Sequence, residues 1–145
     1  MAFGDNKSRF WQVDLSTRAG AQTATRQASM AAFALCVLAV LGAALLGGMA
    51  GYTTPEGIAA MAGAGFEALI GLIAGLRLRL GKGLIAGSFA AALAAIECLI
   101  KLTTLSFGGA FMTAAITVLL FNGVRGAFAL SRGTGFEDDD VAAFE

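Results

Sequence analysis

The sequence predicts an all-α integral membrane protein: a four-helix bundle built from two antiparallel helical hairpins, with both termini cytoplasmic. Three observations carry this. Four apolar stretches, at about 30–51, 57–76, 83–100 and 105–124, occupy most of the 145 residues, and each is close to the roughly 17–25 residues a spanning helix needs. Hydrophobic residues make up 57% and charged residues 14%, where a soluble domain carries about 25% charged. Lys and Arg are distributed unevenly around the stretches. Because hydrocarbon supplies no hydrogen-bond partner, each stretch must satisfy its own backbone, and an isolated run does so only as a helix.

The segment 1–29 is polar and too long for the basic region of a secretory signal, and the run that follows exceeds a signal core of about 7–15 residues. Span one is therefore expected to be retained. Within this segment Phe10 and Trp11, beside Lys7 and Arg9, suit an interfacial anchor in which rings sit at headgroup level and bases meet anionic lipid. A floppy terminus is the plainer alternative. The residues that follow lack Pro and could extend span one into the cytoplasm, so the segment reads as partly helical.

Orientation follows from the bases. Lys7, Arg9, Arg18 and Arg26 precede span one; Arg77, Arg79 and Lys82 lie between spans two and three; Arg125 and Arg132 follow span four; Lys101 alone lies on the other side. Lys and Arg resist translocation, which puts both ends and the middle loop inside. The outer connections, 52–56 and 101–104, are short enough to force span one beside span two and span three beside span four. Matching ends, Gly75-Leu76-Arg77 and Gly123-Val124-Arg125, are compatible with an internal repeat, although the charge rule alone explains them.

Small residues recur at four-residue spacing: Ala39, Ala43, Gly47 and Gly51 on span one; Ala59, Gly63, Gly71 and Gly75 on span two; Gly83, Gly87, Ala91 and Ala95 on span three. Residues four apart share a helix face, and a missing side chain lets two backbones approach, so these stripes are expected to be helix–helix seams. In a chain with 20 Gly some such patterns arise by chance.

Glu67 is the candidate functional residue. It lies near the expected midplane of span two, at the missing step of the ladder Ala59, Gly63, Gly71, Gly75, and so is predicted to point into the bundle. A charged acid at that depth costs about 2.5–3.5 kcal/mol on insertion scales. Counted back from Arg125, Thr117 and Thr113 bracket its depth and offer hydroxyl partners. Glu67 either binds a proton or cation during transport, with Thr113 and Thr117 beside it, or hydrogen-bonds across helices for packing. Glu97 and Lys101, four apart near the outer end of span three, are predicted to form a structural ion pair whose heads reach the interface.

The remaining chemistry is sparse. There is no His, which removes His-ligated haem, His-containing zinc sites and the commonest general base. Cys36 and Cys98 are separated in depth by about 13 Å at about 1.5 Å per residue, too far for a disulfide, and read as small apolar residues. No phosphate loop, paired-carboxylate site or nucleophile triad appears. No enzymatic activity, metal, cofactor or nucleic-acid partner is expected. The segment 132–145, with Glu137, Asp138, Asp139, Asp140 and Glu145, reads as a disordered acidic cytoplasmic tail. Phe136, Val141 and Phe144 within it could dock on a basic cytoplasmic partner.

Length and span count resemble those of the small multidrug-resistance transporters and the small fluoride channels. The resemblance stops at architecture. The transporters place a membrane-embedded Glu in their first span, whereas span one here is uncharged; the channels combine weak charge bias with dual topologies, whereas the bases here divide nine to one. The reading from residues alone is a non-enzymatic multi-pass protein, an accessory subunit that packs in the bacterial inner membrane against lipid and against other membrane subunits or copies of itself. Bacterial origin is suggested by richness in Ala and Gly. The alternative is a homo-oligomeric channel or proton-coupled transporter using Glu67.

Overall fold

The structure, a computed structural model, describes residues 15–133. The described residues are 87% helical and contain no strand. They form α1 (Arg18–Ala50), α2 (Pro55–Arg79), α3 (Leu84–Thr103) and α4 (Phe107–Arg132). All four are long and apolar enough to cross a membrane. Phe10 and Trp11, and the acidic tail from Glu137 onward, lie outside the described residues.

Local chemistry sets the helix ends. Thr17 caps α1, its hydroxyl oxygen accepting from the Gly20 N–H at 3.0 Å. Thr54 caps α2 in the same way, accepting from Gly57 at 3.1 Å, with Pro55 opening the helix and Glu56 in its first turn. These arrangements satisfy amide groups that the first turn leaves free and favour negative charge there. The α1–α2 turn is tight: Gly51 has φ +89°, and a Cβ on Gly57 would fall 2.0 Å from the Gly51 carbonyl oxygen. Only glycine fits at Gly57.

The helices form a four-cornered bundle in which α1 packs against α2 and α4, α3 packs against α4 and α2, and diagonal pairs scarcely touch. The seams are built from buried, mostly small residues at steps of three and four. On α1 they are Ala21, Thr25, Ala28, Ala32, Leu35 and Ala39; on α4, Ala110, Thr113, Ile116, Leu120, Gly123 and Ala127. This is the periodicity that lets left-handed helix pairs stay in register over several turns. Gly71 lies so close to α1 that a Cβ would be 2.9 Å from the Ala32 carbonyl oxygen, and Gly75 meets the ring of Phe33. Large side chains such as Leu45, Phe66, Phe89 and Phe111 point outward, as a lipid-facing surface requires.

Helices extend beyond the apolar stretches, most of all α1, whose 33 residues measure about 50 Å at about 1.5 Å per residue. Residues 18–29 form the first three turns of that helix, as the expected helical extension of span one. They persist because Ala21, Ala24 and Ala28 bury against Gly126 and Gly123 of α4. At the opposite end the expected seam fails. Gly63 has open space where a Cβ would stand, and Ala59 is exposed. The reason is the face they occupy: the buried side of α2 runs through Gly57, Ala68, Gly71, Ala74, Gly75 and Leu78, Ala59 and Gly63 fall off it, and Gly47 of α1 meets the Met61 side chain instead. Gly51 likewise ends α1 rather than packing on a neighbour, and Gly83 serves the α2–α3 turn, tucked against the backbone of Leu78. Gly87 packs between Val124 and Leu78; Ala39 is buried, and Ala43 and Ala91 are half-buried.

Candidate functional site

The polar side chains inside the bundle converge at one place. Glu67 is the middle residue of α2, twelve positions before its end at Arg79, and Glu97 stands thirteen positions into α3 from Leu84. Both therefore sit roughly 18–20 Å from the α2–α3 turn at about 1.5 Å per residue. The antiparallel hairpin brings the two carboxyl groups close enough to act on one another, and Lys101 close enough to act on Glu67 electrostatically.

Lys101 organises the rest. Its ammonium pairs with the Glu97 carboxylate one turn back on α3 and donates to the Thr113 hydroxyl of α4 at 3.0 Å. Thr113, buried, in turn donates to the Gly109 carbonyl oxygen at 2.8 Å. Three helices thus contribute to one network: Glu67 from α2, Glu97 and Lys101 from α3, Thr113 from α4. Glycine at 109 makes room, since a Cβ there would meet the Lys101 chain at 3.2 Å.

Several expectations change accordingly. The acid that acts on Glu67 is Glu97; Thr113 accepts from Lys101 and donates to the Gly109 carbonyl oxygen, and Thr117 donates to the Thr113 carbonyl oxygen at 2.8 Å. The Glu97–Lys101 pair forms, yet it does not stand alone at an interface: it is part of the Glu67 cluster. Counting from the outer loops concealed this, because α2 extends further outward than α3. Counting from the shared turn at 80–83 would have set the two acids at equal depth.

Two acids and one ammonium so placed can share a proton or a cation among them, or act as a polar clasp between α2, α3 and α4. The group is half-buried, and low local polarity strengthens both attraction and repulsion within it. Cys36 lies beside Gly71, whereas Cys98 donates its thiol to the Ala110 carbonyl oxygen at 3.5 Å. Both thiols are free.

A second polar region was missed by sequence reasoning. At the end of the bundle formed by the α2–α3 turn, a cavity of about 800 Å³ is lined by Arg18 and Arg26 of α1, Arg79 and Lys82 near the turn, and the hydroxyl residues Thr25 and Ser131. The signal was present in the bases, but these had been read only as determinants of orientation. Arg132 is not part of it; its guanidinium stacks over the Phe128 ring with 4.3 Å to the centroid.

Comparison with protein-family models, with curated proteins and with solved structures gives no match.

Proposed function

We propose that this chain is a non-enzymatic multi-pass subunit of a bacterial inner-membrane assembly, oriented with the α2–α3 turn and both helical ends beside it in the cytoplasm. Its role is to pack against further membrane helices. The observation supporting this most directly is the contrast between two sets of glycines. Gly71, Gly75, Gly87, Gly123 and Gly126 lie against neighbouring helices, whereas Gly42, Gly63, Gly65 and Gly108 have nothing within 4 Å of a Cβ position. A helical glycine costs about 1 kcal/mol relative to Ala. Facing lipid it recovers nothing; facing a partner helix it permits close backbone approach.

Native mass spectrometry after gentle extraction tests the reading. The wild type should leave the membrane with companion subunits or further copies, and Gly63→Leu should release them while the helical content stays unchanged. A wild type extracted alone, or a companion set indifferent to Gly63→Leu, would count against it.

The meeting of Glu67, Glu97 and Lys101 supports a second reading, a homo-oligomeric channel or proton-coupled transporter in which Glu67 carries the moving charge. In proteoliposomes, transport predicts that Glu67→Gln abolishes flux with assembly intact. Packing predicts no flux in either protein.

A further inference from the structure

We propose that the cavity at the α2–α3 turn binds a phosphate group, presented either by an anionic lipid headgroup or by a phosphorylated solute. Its lining brings together Arg18, Arg26, Arg79 and Lys82, with no acidic residue among the described residues. They come from two separate places in the chain: the first turns of α1, and the end of α2 with the turn that follows. None of the four makes an ion pair with a described residue. Four cations gathered around one concavity repel one another, and the arrangement is relieved when an anion enters.

The chemistry of the lining selects the anion. Guanidinium groups present paired N–H donors that match two oxygens of one phosphate, and an ammonium adds a point charge. Thr25 and Ser131 add hydroxyls, although each hydroxyl proton is already donated, to the Gln22 and Phe128 carbonyl oxygens at 2.9 and 2.8 Å. Those oxygens therefore remain acceptors, suited to a protonated oxygen of a phosphate monoester or to a headgroup hydroxyl. A volume of about 800 Å³ lies within the usual range for a small-molecule site, roughly 300–1,000 Å³. Basic recesses between membrane helices on the cytoplasmic side bind phospholipid headgroups for these same reasons.

The site is independent of the Glu67 cluster, which lies roughly 18–20 Å further along the helices, and independent of whether the protein assembles with others. Binding can therefore fail while the proposed assembly role stands, and the reverse.

The test uses the full chain, purified in a neutral detergent. Pyrophosphate is titrated while thermal stability is followed. In parallel, nanodiscs with and without phosphatidylglycerol in phosphatidylcholine are compared by native mass spectrometry for retained lipid. Stabilisation by pyrophosphate alone identifies a solute site; selective retention of phosphatidylglycerol identifies a lipid site; either supports the proposal. The variant Arg79→Gln/Lys82→Gln, at exposed positions in the turn, should weaken binding by about tenfold or more per group removed, and Arg18→Gln should do so independently. Arg125→Gln, outside the cavity, should leave it unchanged. Absence of binding from both sources would overturn the proposal, as would binding that survives loss of all three cations. Phosphate binding that appears only after Glu137, Asp138, Asp139 and Asp140 are neutralised would also overturn it, since the chain's own acids would then be the occupant.

Discussion

A Cβ placed on Gly123 of α4 would lie 2.0 Å from the Cβ of Ala28 on α1. No other side chain fits between these two backbones, and the contact sits where α1 and α4 bury against each other beside Gly126. Gly123→Ala improves helix propensity by about 1 kcal/mol, but the clash outweighs it, since overpacking of this kind costs about 1–3 kcal/mol. Net thermal stability in detergent should fall. Moving the methyl group across the seam, with Ala28→Gly added to Gly123→Ala, should recover most of the loss. A double variant no better than the single one would show that α1 and α4 do not meet there.

Removing charges from the Glu67 cluster should expose redundancy. Glu97→Gln leaves Glu67 within reach of Lys101, so its cost should stay near 0.5 kcal/mol or about that of an exposed pair. Glu67→Gln/Glu97→Gln strands the ammonium. Breaking a buried pair costs about 3–5 kcal/mol, which partial exposure reduces here to about 1–2 kcal/mol. The double-mutant cycle, followed by denaturant unfolding in mixed micelles, should give a clearly non-additive result. Simple additivity would mean that the acids act separately.

Ser29 of α1 donates to the Gly75 carbonyl oxygen of α2 at 2.8 Å, a buried bond. Interhelical bonds of this type average about 0.6 kcal/mol and reach about 1.7. Ser29→Ala should therefore lower stability by about 0.5–1.5 kcal/mol in the same assay without altering the fold, whereas Ser88→Ala should be nearly neutral, because Ser88 is exposed and bonds only within its own helix to Leu84. Equal losses from the two would contradict the placement of Ser29 on the α1–α2 seam.

Four helices were legible because apolar length is a local property, written in consecutive residues. The extension of α1 before residue 30 was legible as helix, but its packing was not, because Arg18, Gln22 and Arg26 on the exposed side mask Ala21, Ala24 and Ala28 on the other. A stripe of small residues marks a seam only where the neighbouring helix comes close, which Gly71 and Gly75 satisfy and Gly63 does not. Strict four-residue spacing drifts around the helix, and Gly63 lies off the buried face that passes through Ala68, Gly71 and Gly75. Likewise, Glu67 announced itself as an intramembrane acid and Glu97 read as half of an interfacial pair with Lys101; their meeting depends on the register of α2 against α3, which the turn at 80–83 fixes. The cavity lined by Arg18, Arg26, Arg79 and Lys82 needs α1, the α2–α3 turn and the end of α4 at once.

The account rests on four helices crossing a bilayer, with the 80–83 turn on the opposite side from the turns at 51–54 and 104–106. Single cysteines at Thr53, Lys82 and Thr104, in a Cys36→Ala/Cys98→Ala background, can be treated in intact cells with a membrane-impermeant thiol reagent. Thr53→Cys and Thr104→Cys should label at once, and Lys82→Cys only after permeabilisation. Labelling of Lys82→Cys in intact cells to the same extent as Thr53→Cys would contradict it.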